Sequence, residues 1–195
     1  MKKALIAIVA VILVAALSTG AYFLFSANKD SGAVTVSVEE FSDSPDILMS
    51  LMNRPEKFTK VLENDYHLGA EKTAEFYECP EEWLTYAELI TIENTTKETI
   101  TVFALDVAEN GKNGVYISTL LDGEYEIAPN SNTSVYFNIL CDNGDLSTDE
   151  AKALVEAMDI KIVYRDASVI EETDSSDVMT SFVGSKTADV NTVTE

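Results

Sequence analysis

The chain is predicted to be mainly β: an antiparallel β-sandwich with one or two short inserted helices, preceded by an N-terminal transmembrane helix. Three observations carry this. From Trp83 to Tyr164, short runs rich in apolar and β-branched residues recur at intervals of roughly 8–15 residues with turn residues between them, a spacing that suits antiparallel strands rather than strand–helix–strand units. Helix starts stand at Ser44-Pro45 and at Ser147-Thr148-Asp149-Glu150, each followed by an apolar stripe. Directly after Met1-Lys2-Lys3 come 24 residues, Ala4 to Ala27, without a single charge.

At about 1.5 Å per residue, a helix over Ala4–Ala27 spans roughly 36 Å, enough for a hydrocarbon core of about 30 Å with some tilt. Ala4–Leu17 also fits the apolar part of a secretory signal, with small residues at Ser18-Thr19-Gly20-Ala21 for cleavage. Apolarity resumes at once in Ala21-Tyr22-Phe23-Leu24-Phe25, where aromatics suit the outer interface. The preferred expectation is an uncleaved anchor with Lys2 and Lys3 inside and the C-terminal domain outside; secretion after cleavage is the alternative. The expected organisation is a signal-anchor over 1–27, a spacer over 28–32, the sandwich over 33–170 and an acidic, mostly disordered tail over 171–195.

Val34, Val36 and Val38 alternate with polar residues and begin the first strand. Ser44-Pro45 then starts a helix with Ile47, Leu48, Leu51 and Met52 on one face. Pro55 breaks it and opens another with Phe58, Val61 and Leu62. Leu89–Ile92 and Thr99–Val107 read as strands on either side of the polar turn Asn94–Glu98. Asn110–Gly114 turns the chain into Val115–Leu121, and Asp122-Gly123 signals a tight hairpin before Tyr125 and Ile127. Pro129–Asn132 makes a corner. The clearest strand follows, with Val135, Phe137, Ile139 and Cys141 facing one way. Ala151, Leu154, Val155 and Met158 form the stripe of the capped helix, and Ile160, Ile162 and Tyr164 form a further strand. Val178–Phe182 reads as an edge strand, and Gly184–Glu195 as disordered.

Residues 28–195 hold all 34 acidic residues and 11 of the 13 basic ones, a net charge of −23. Such a surface repels phosphates and anionic lipid, so no nucleic acid is expected as a partner. It attracts cations and basic partners, and it keeps an exported domain soluble.

Cys79 and Cys141 can bridge in an oxidising compartment. Closing a loop of roughly 60 residues contributes about 4 kcal/mol on the chain-entropy model. The other reading is two separate buried thiols. A Cys–His–Arg transpeptidase site of the sortase type draws on Cys141, His67 and Arg165 or Arg54. Phe137-Asn138-Ile139-Leu140-Cys141 departs from the Thr-Leu-x-Thr-Cys signature, and Asp142 and Asp145 disfavour a thiolate. Asp142-Asn143-Gly144-Asp145, with Asp149 and Glu150, clusters oxygen ligands for calcium without the EF-hand spacing. Asn94-Thr95-Thr96 and Asn132-Thr133-Ser134 are glycosylation sequons that matter only in a eukaryotic source, and the MKK start reads as bacterial. No catalytic residue, cofactor site or metal site is assigned.

Ile90-Thr91-Ile92-Glu93-Asn94-Thr95-Thr96-Lys97-Glu98-Thr99-Ile100 resembles the hairpin of the Ig-like, telokin-like ectodomains of bacterial membrane-anchored proteins and lipoproteins. Ile127-Ala128-Pro129-Asn130-Ser131 is similar to their corner, with Asn130 where many carry glycine. The resemblance spans about Trp83 to Tyr164. It implies an Ig-like sandwich outside the membrane, in families largely of unknown function. The function expected is a membrane-anchored, noncatalytic binding or protein-interaction module whose partner is an extracytoplasmic protein or envelope component. The alternative is a structural or assembly part of a bacterial envelope complex. The loops Asp106–Gly114 and Asp142–Asp149 are the positional candidates for contact.

Overall fold

The structure, a computed structural model, describes residues 33–166 and 185–190. The described chain is mainly β, with two four-stranded antiparallel sheets and four α-helices. The expected anchor and spacer, and the expected strand over Val178–Phe182, lie outside the described residues. Among the described residues no helix is long and apolar enough to cross a membrane.

The first sheet has the order β1-β2-β6-β4, built from β1 (Val34–Asp43), β2 (Leu84–Asn94), β6 (Ser131–Cys141) and β4 (Val115–Ile117). The second has the order β5-β3-β7-β8, built from β5 (Leu120–Ile127), β3 (Ile100–Val107), β7 (Ile160–Asp166) and β8 (Lys186–Asp189). Period-two alternation sends one face of each sheet to a shared core. Ile90 and Ile92 of β2 and Val135, Phe137, Ile139 and Cys141 of β6 meet Ile100, Val102 and Leu105 of β3 and Ile160 and Ile162 of β7 there. A bulge at Phe103 shifts the β3 register against both neighbours, which is why Val102 and Leu105, three apart, both face inward.

A second apolar cluster lies on the other face of the first sheet. Helices α1 (Pro45–Asn53), α2 (Pro55–Asn64) and α3 (Gly69–Glu78) contribute Leu51, Leu62 and Phe76. Trp83, Tyr116 of β4 and Leu140 of β6 meet them from the sheet side. Tyr116 and Leu140 sit one residue from the inward-facing Val115, Ile139 and Cys141, so they point to the opposite face. The helices thus form a third layer over one end of that sheet. Beyond their reach the face is open, and Tyr136 is 53% exposed.

The helix starts at Pro45 and Pro55 are where the sequence puts them. Four helices stand where one or two were expected in the fold; three of them begin where the sequence signals a start, and the fourth, α3, buries only Thr73 and Phe76, so it shows too thin an apolar stripe to be read from periodicity. Helix α4 (Thr148–Glu156) has its capping box, Glu150 N donating to Ser147 Oγ at 3.3 Å and Ser147 N to Glu150 Oε2 at 3.0 Å.

Three further expectations are corrected. Asp122-Gly123 is not a hairpin turn; it lies inside β5, where the pairing with β3 jumps from Val102↔Tyr125 to Ala104↔Leu120. The single strand expected over Val115–Leu121 is in fact two, because the chain changes sheets. Ser118 N still donates to Asn138 O of the first sheet at 2.9 Å, while Thr119 O accepts from Leu105 N of the second at 2.8 Å. The tail over 171–195 also contributes structure: Lys186–Asp189 pairs with β7, and Val190 N donates to Ile160 O at 2.9 Å. Its four residues include only one partly buried apolar side chain, Ala188, so composition does not mark it as a strand.

Candidate functional site

The junction between the helical layer and the first sheet holds a cleft of about 490 Å³. Pro45 and Leu48 of α1 form one wall, Trp83 just before β2 and Leu84, Thr85 and Tyr86 at its start the floor, and Gly144, Leu146, Ser147 and Thr148 before and at the start of α4 the other wall, with Asp43 at the rim. Each part is held by hydrogen bonds or by close backbone packing. Ser44 N donates to Thr85 O at 2.9 Å, and Thr85 Oγ1 donates to Ser44 O at 2.7 Å, which pins the start of α1 to β2. Thr148 Oγ1 donates to Asp43 Oδ1 at 2.8 Å and ties the start of α4 to the end of β1. Gly144 lets its loop lie directly on the turn at Pro80–Glu82: a Cβ there would stand 2.8 Å from Glu81 O.

The same end of the molecule unites the two loops singled out by the sequence. Asp142 N donates to Gly114 O at 2.9 Å. A Cβ on Gly114, whose φ is +76°, would lie 1.8 Å from Asp142 Oδ1, so a larger residue would be strained and would displace that carboxylate. Asp142 Oδ2 is 2.9 Å from Lys72 Nζ, and Lys72 lies over the Trp83 ring at 5.7 Å. The hydrogen bonds and charges of Asp142 and Glu75 raise the Lys72 ammonium well above its ordinary pKa. Trp83 in turn packs against Phe76 and Tyr116. Lys72 is a positioning cation here, absorbed by its two carboxylates.

Cys141 is fully buried in the inter-sheet core, opposite Leu84 and Val115. Cys79 caps the C-terminal end of α3, its N–H donating to Glu75 O at 3.0 Å. Both are free thiols in the structure. Burial first, and Asp142 second, push the Cys141 thiol up to about 12, the opposite of what a nucleophile needs. Burial and four glutamates, Glu82, Glu81, Glu78 and Glu75, raise Cys79 as well.

The groups of the sortase-type alternative are not brought together. His67 sits after α2 with Nε2 3.5 Å from Thr119 Oγ1. Arg165 lies on the outer face of the second sheet, its Nη2 donating to both carboxylate oxygens of Glu124 at 3.1 Å and its guanidinium lying over the Phe103 ring. Arg54 is exposed between α1 and α2. The oxygens considered for calcium are turned to separate tasks: Asp142 to Lys72, Asn143 Oδ1 to Asp145 N at 3.1 Å, and Glu150 to Ser147. Among the described residues no group of three or more His, Cys, Asp or Glu converges on a metal position. Of the two sequons, Asn132 is exposed, whereas Asn94 is fully buried with Nδ2 donating to Glu98 O and Ile127 O, both at 2.8 Å.

Sequence reasoning missed Glu88. Alternation puts it on the inward face of β2 between Tyr86 and Ile90, paired with Phe41 and Phe137. It is 1% exposed, and its Oε1 has no hydrogen-bond partner. Burial, then the charge of Glu156, push its carboxyl up to about 7, against the opposing pull of Lys152. Its even spacing with Tyr86, Ile90 and Ile92 was the available signal.

No known protein family and no curated protein matches the chain. Among solved structures, an ApaA protein from Bordetella pertussis is 8% identical and superposes with a TM-score of 0.35, over 82% of this chain and 89% of that one. A FixG-related protein from Vibrio parahaemolyticus is 16% identical, with a TM-score of 0.25 over 55% and 73% of the two chains. A lipoprotein from Bacillus subtilis is 13% identical, with a TM-score of 0.27 over 57% and 30%. Overlaps this partial establish neither a common fold nor a common activity.

Proposed function

We propose that this protein is a noncatalytic binding module working outside the cytoplasm, held at the membrane by Ala4–Ala27, with an Ig-like sandwich as its scaffold. The observation that carries the reading is the cleft beside Trp83. It is preformed, within the size range of ligand sites, and rigidly built from three segments distant in sequence. The strand orders support the scaffold: β1-β2-β6-β4 corresponds to an ABED sheet, and β5-β3-β7-β8 to a CFG sheet with one added edge strand. The added edge strand follows β4 in the chain, and three helices stand between the first two strands. The 24-residue uncharged run supports the tether, and the acidic surface supports a soluble exposed domain.

The test is photocrosslinking on intact cells from a reactive residue placed at Leu48 or Ser147, with partner identification. A binding module gives a defined crosslinked protein from these positions and keeps it when Ala4–Ala27 is exchanged for an unrelated anchor. Loss of the crosslink on that exchange would favour the envelope-assembly role, in which the membrane helix itself makes the contact.

A further inference from the structure

We propose that the cleft takes a basic amphipathic segment of a partner protein, with a Lys or Arg head at Asp43 and adjoining apolar side chains against Leu48, Leu84 and Leu146. This rests on the binding-module reading and names the chemistry of its partner. The walls supply the apolar half: Pro45, Leu48, Leu84 and Leu146 present accessible apolar surface, with the buried rings of Trp83 and Tyr86 beneath them. The rim supplies the charge. Asp43 lines the cleft, and Glu82, Asp145 and Asp149 each stand next in sequence to a lining residue; all four are exposed. No Lys or Arg lines the cleft or directly flanks a lining residue. Lys72, over the Trp83 ring, is already paired with Asp142 and Glu75.

Charge and shape act together here. An acidic rim on a flat surface would hold only solvated cations, with little gain. A rim above apolar walls rewards a side chain that buries an aliphatic stem while keeping its head at the carboxylates. The Thr148 bond fixes the Asp43 carboxylate at the rim, and ionised oxygens keep capacity for further N–H donors. An acidic segment is rejected by the same carboxylates. At longer range the −21 charge of the chain steers basic partners toward it.

Trp83 is the only tryptophan in the chain and lines the cleft, so its emission reports on this site. The full-length protein in mild detergent is titrated with decapeptides alternating Lys and Leu, Lys and Ser, or Glu and Leu, and with spermidine. The Lys/Leu peptide is expected to change Trp83 emission saturably and to bind at least tenfold more tightly than the other three. Asp43→Asn, at an exposed position, weakens that binding about fivefold, and Leu48→Lys weakens it more; circular dichroism checks that each variant is folded. Equal binding of the Lys/Ser peptide or spermidine would reduce the effect to the general acidic field and overturn the proposal. So would affinity unchanged in both variants, which would place the contact elsewhere. Failure of every basic probe, with crosslinks still forming from Leu48 or Ser147 on cells, would overturn the basic partner and leave the binding-module reading intact.

Discussion

Glu88 is a carboxyl group buried in the inter-sheet core. A carboxylate buried without a full set of partners is disfavoured against its neutral form, so folding holds the proton. Its folded pKa of about 7 lies above the ordinary 4.5; stability from this group is therefore fully present below about pH 4.5 and declines as pH rises toward 7. Glu88→Gln keeps the shape and removes the titration. Urea denaturation across pH 4–9 should show the variant gaining on the parent above pH 5, up to about 3 kcal/mol above pH 7. A parallel pair of curves would mean that Glu88 is not titrating in the core. Cys141 belongs to the same interior. Its thiol, pushed up to about 12, should resist an aromatic disulfide reagent in the native protein at pH 8 and react only on unfolding. Fast native labelling at Cys141 would contradict its burial.

Turns and edges decide how the strands are joined. Asn94 closes the β2–β3 turn, its Oδ1 accepting from Thr96 N at 2.9 Å, and also holds β5 through Ile127 O. Asn94→Ala leaves the buried Ile127 carbonyl short of a donor, and a loss of about 2–3 kcal/mol is expected in chemical denaturation. An unchanged midpoint would show that water replaces the amide. At the opposite side of the second sheet, β8 covers the edge of β7 with four residues, and Val190 adds an apolar contact. Ending the chain after Gly184 uncovers that edge, an open template for pairing. Size-exclusion chromatography should then show concentration-dependent association that the full chain lacks. A monomeric truncated protein would mean that β8 is dispensable as a cover.

The three layers share side chains in a way that makes them one cooperative unit. Tyr116 and Leu140 face the helices, while their neighbours Val115, Ile117, Ile139 and Cys141 face the second sheet. Loosening the helical layer therefore strains the sheet beneath it. Leu62 of α2 is completely buried in the helical cluster, and Leu62→Ala is expected to cost about 2–5 kcal/mol. Trp83 reports the helical cluster and far-UV circular dichroism the whole fold, so thermal transitions by the two probes should coincide in the parent and in the variant. Separate transitions would mean that the helices unfold independently.

Much of this was legible from local chemistry. The prolines opened α1 and α2, the Ser147–Glu150 box started α4, and the alternation of β6 placed Val135, Phe137, Ile139 and Cys141 inward, because each depends on residues within one or two turns of chain. Asp122-Gly123 misled for the converse reason: a turn signal describes a local bend, whereas here the bend is absorbed as an irregularity within β5, both parts of which pair with β3, and the chain changes sheets earlier, at Ser118 and Thr119. The strand character of Lys186–Asp189 came from its pairing with β7 rather than from composition, and α3 became a helix over a core it meets with only Phe76 and Thr73. The cleft brings together Asp43, Trp83 and Thr148, which are far apart in sequence. Its acidic rim was readable as composition. Its apolar walls came into being only when long-range packing laid two helix starts across the end of one sheet.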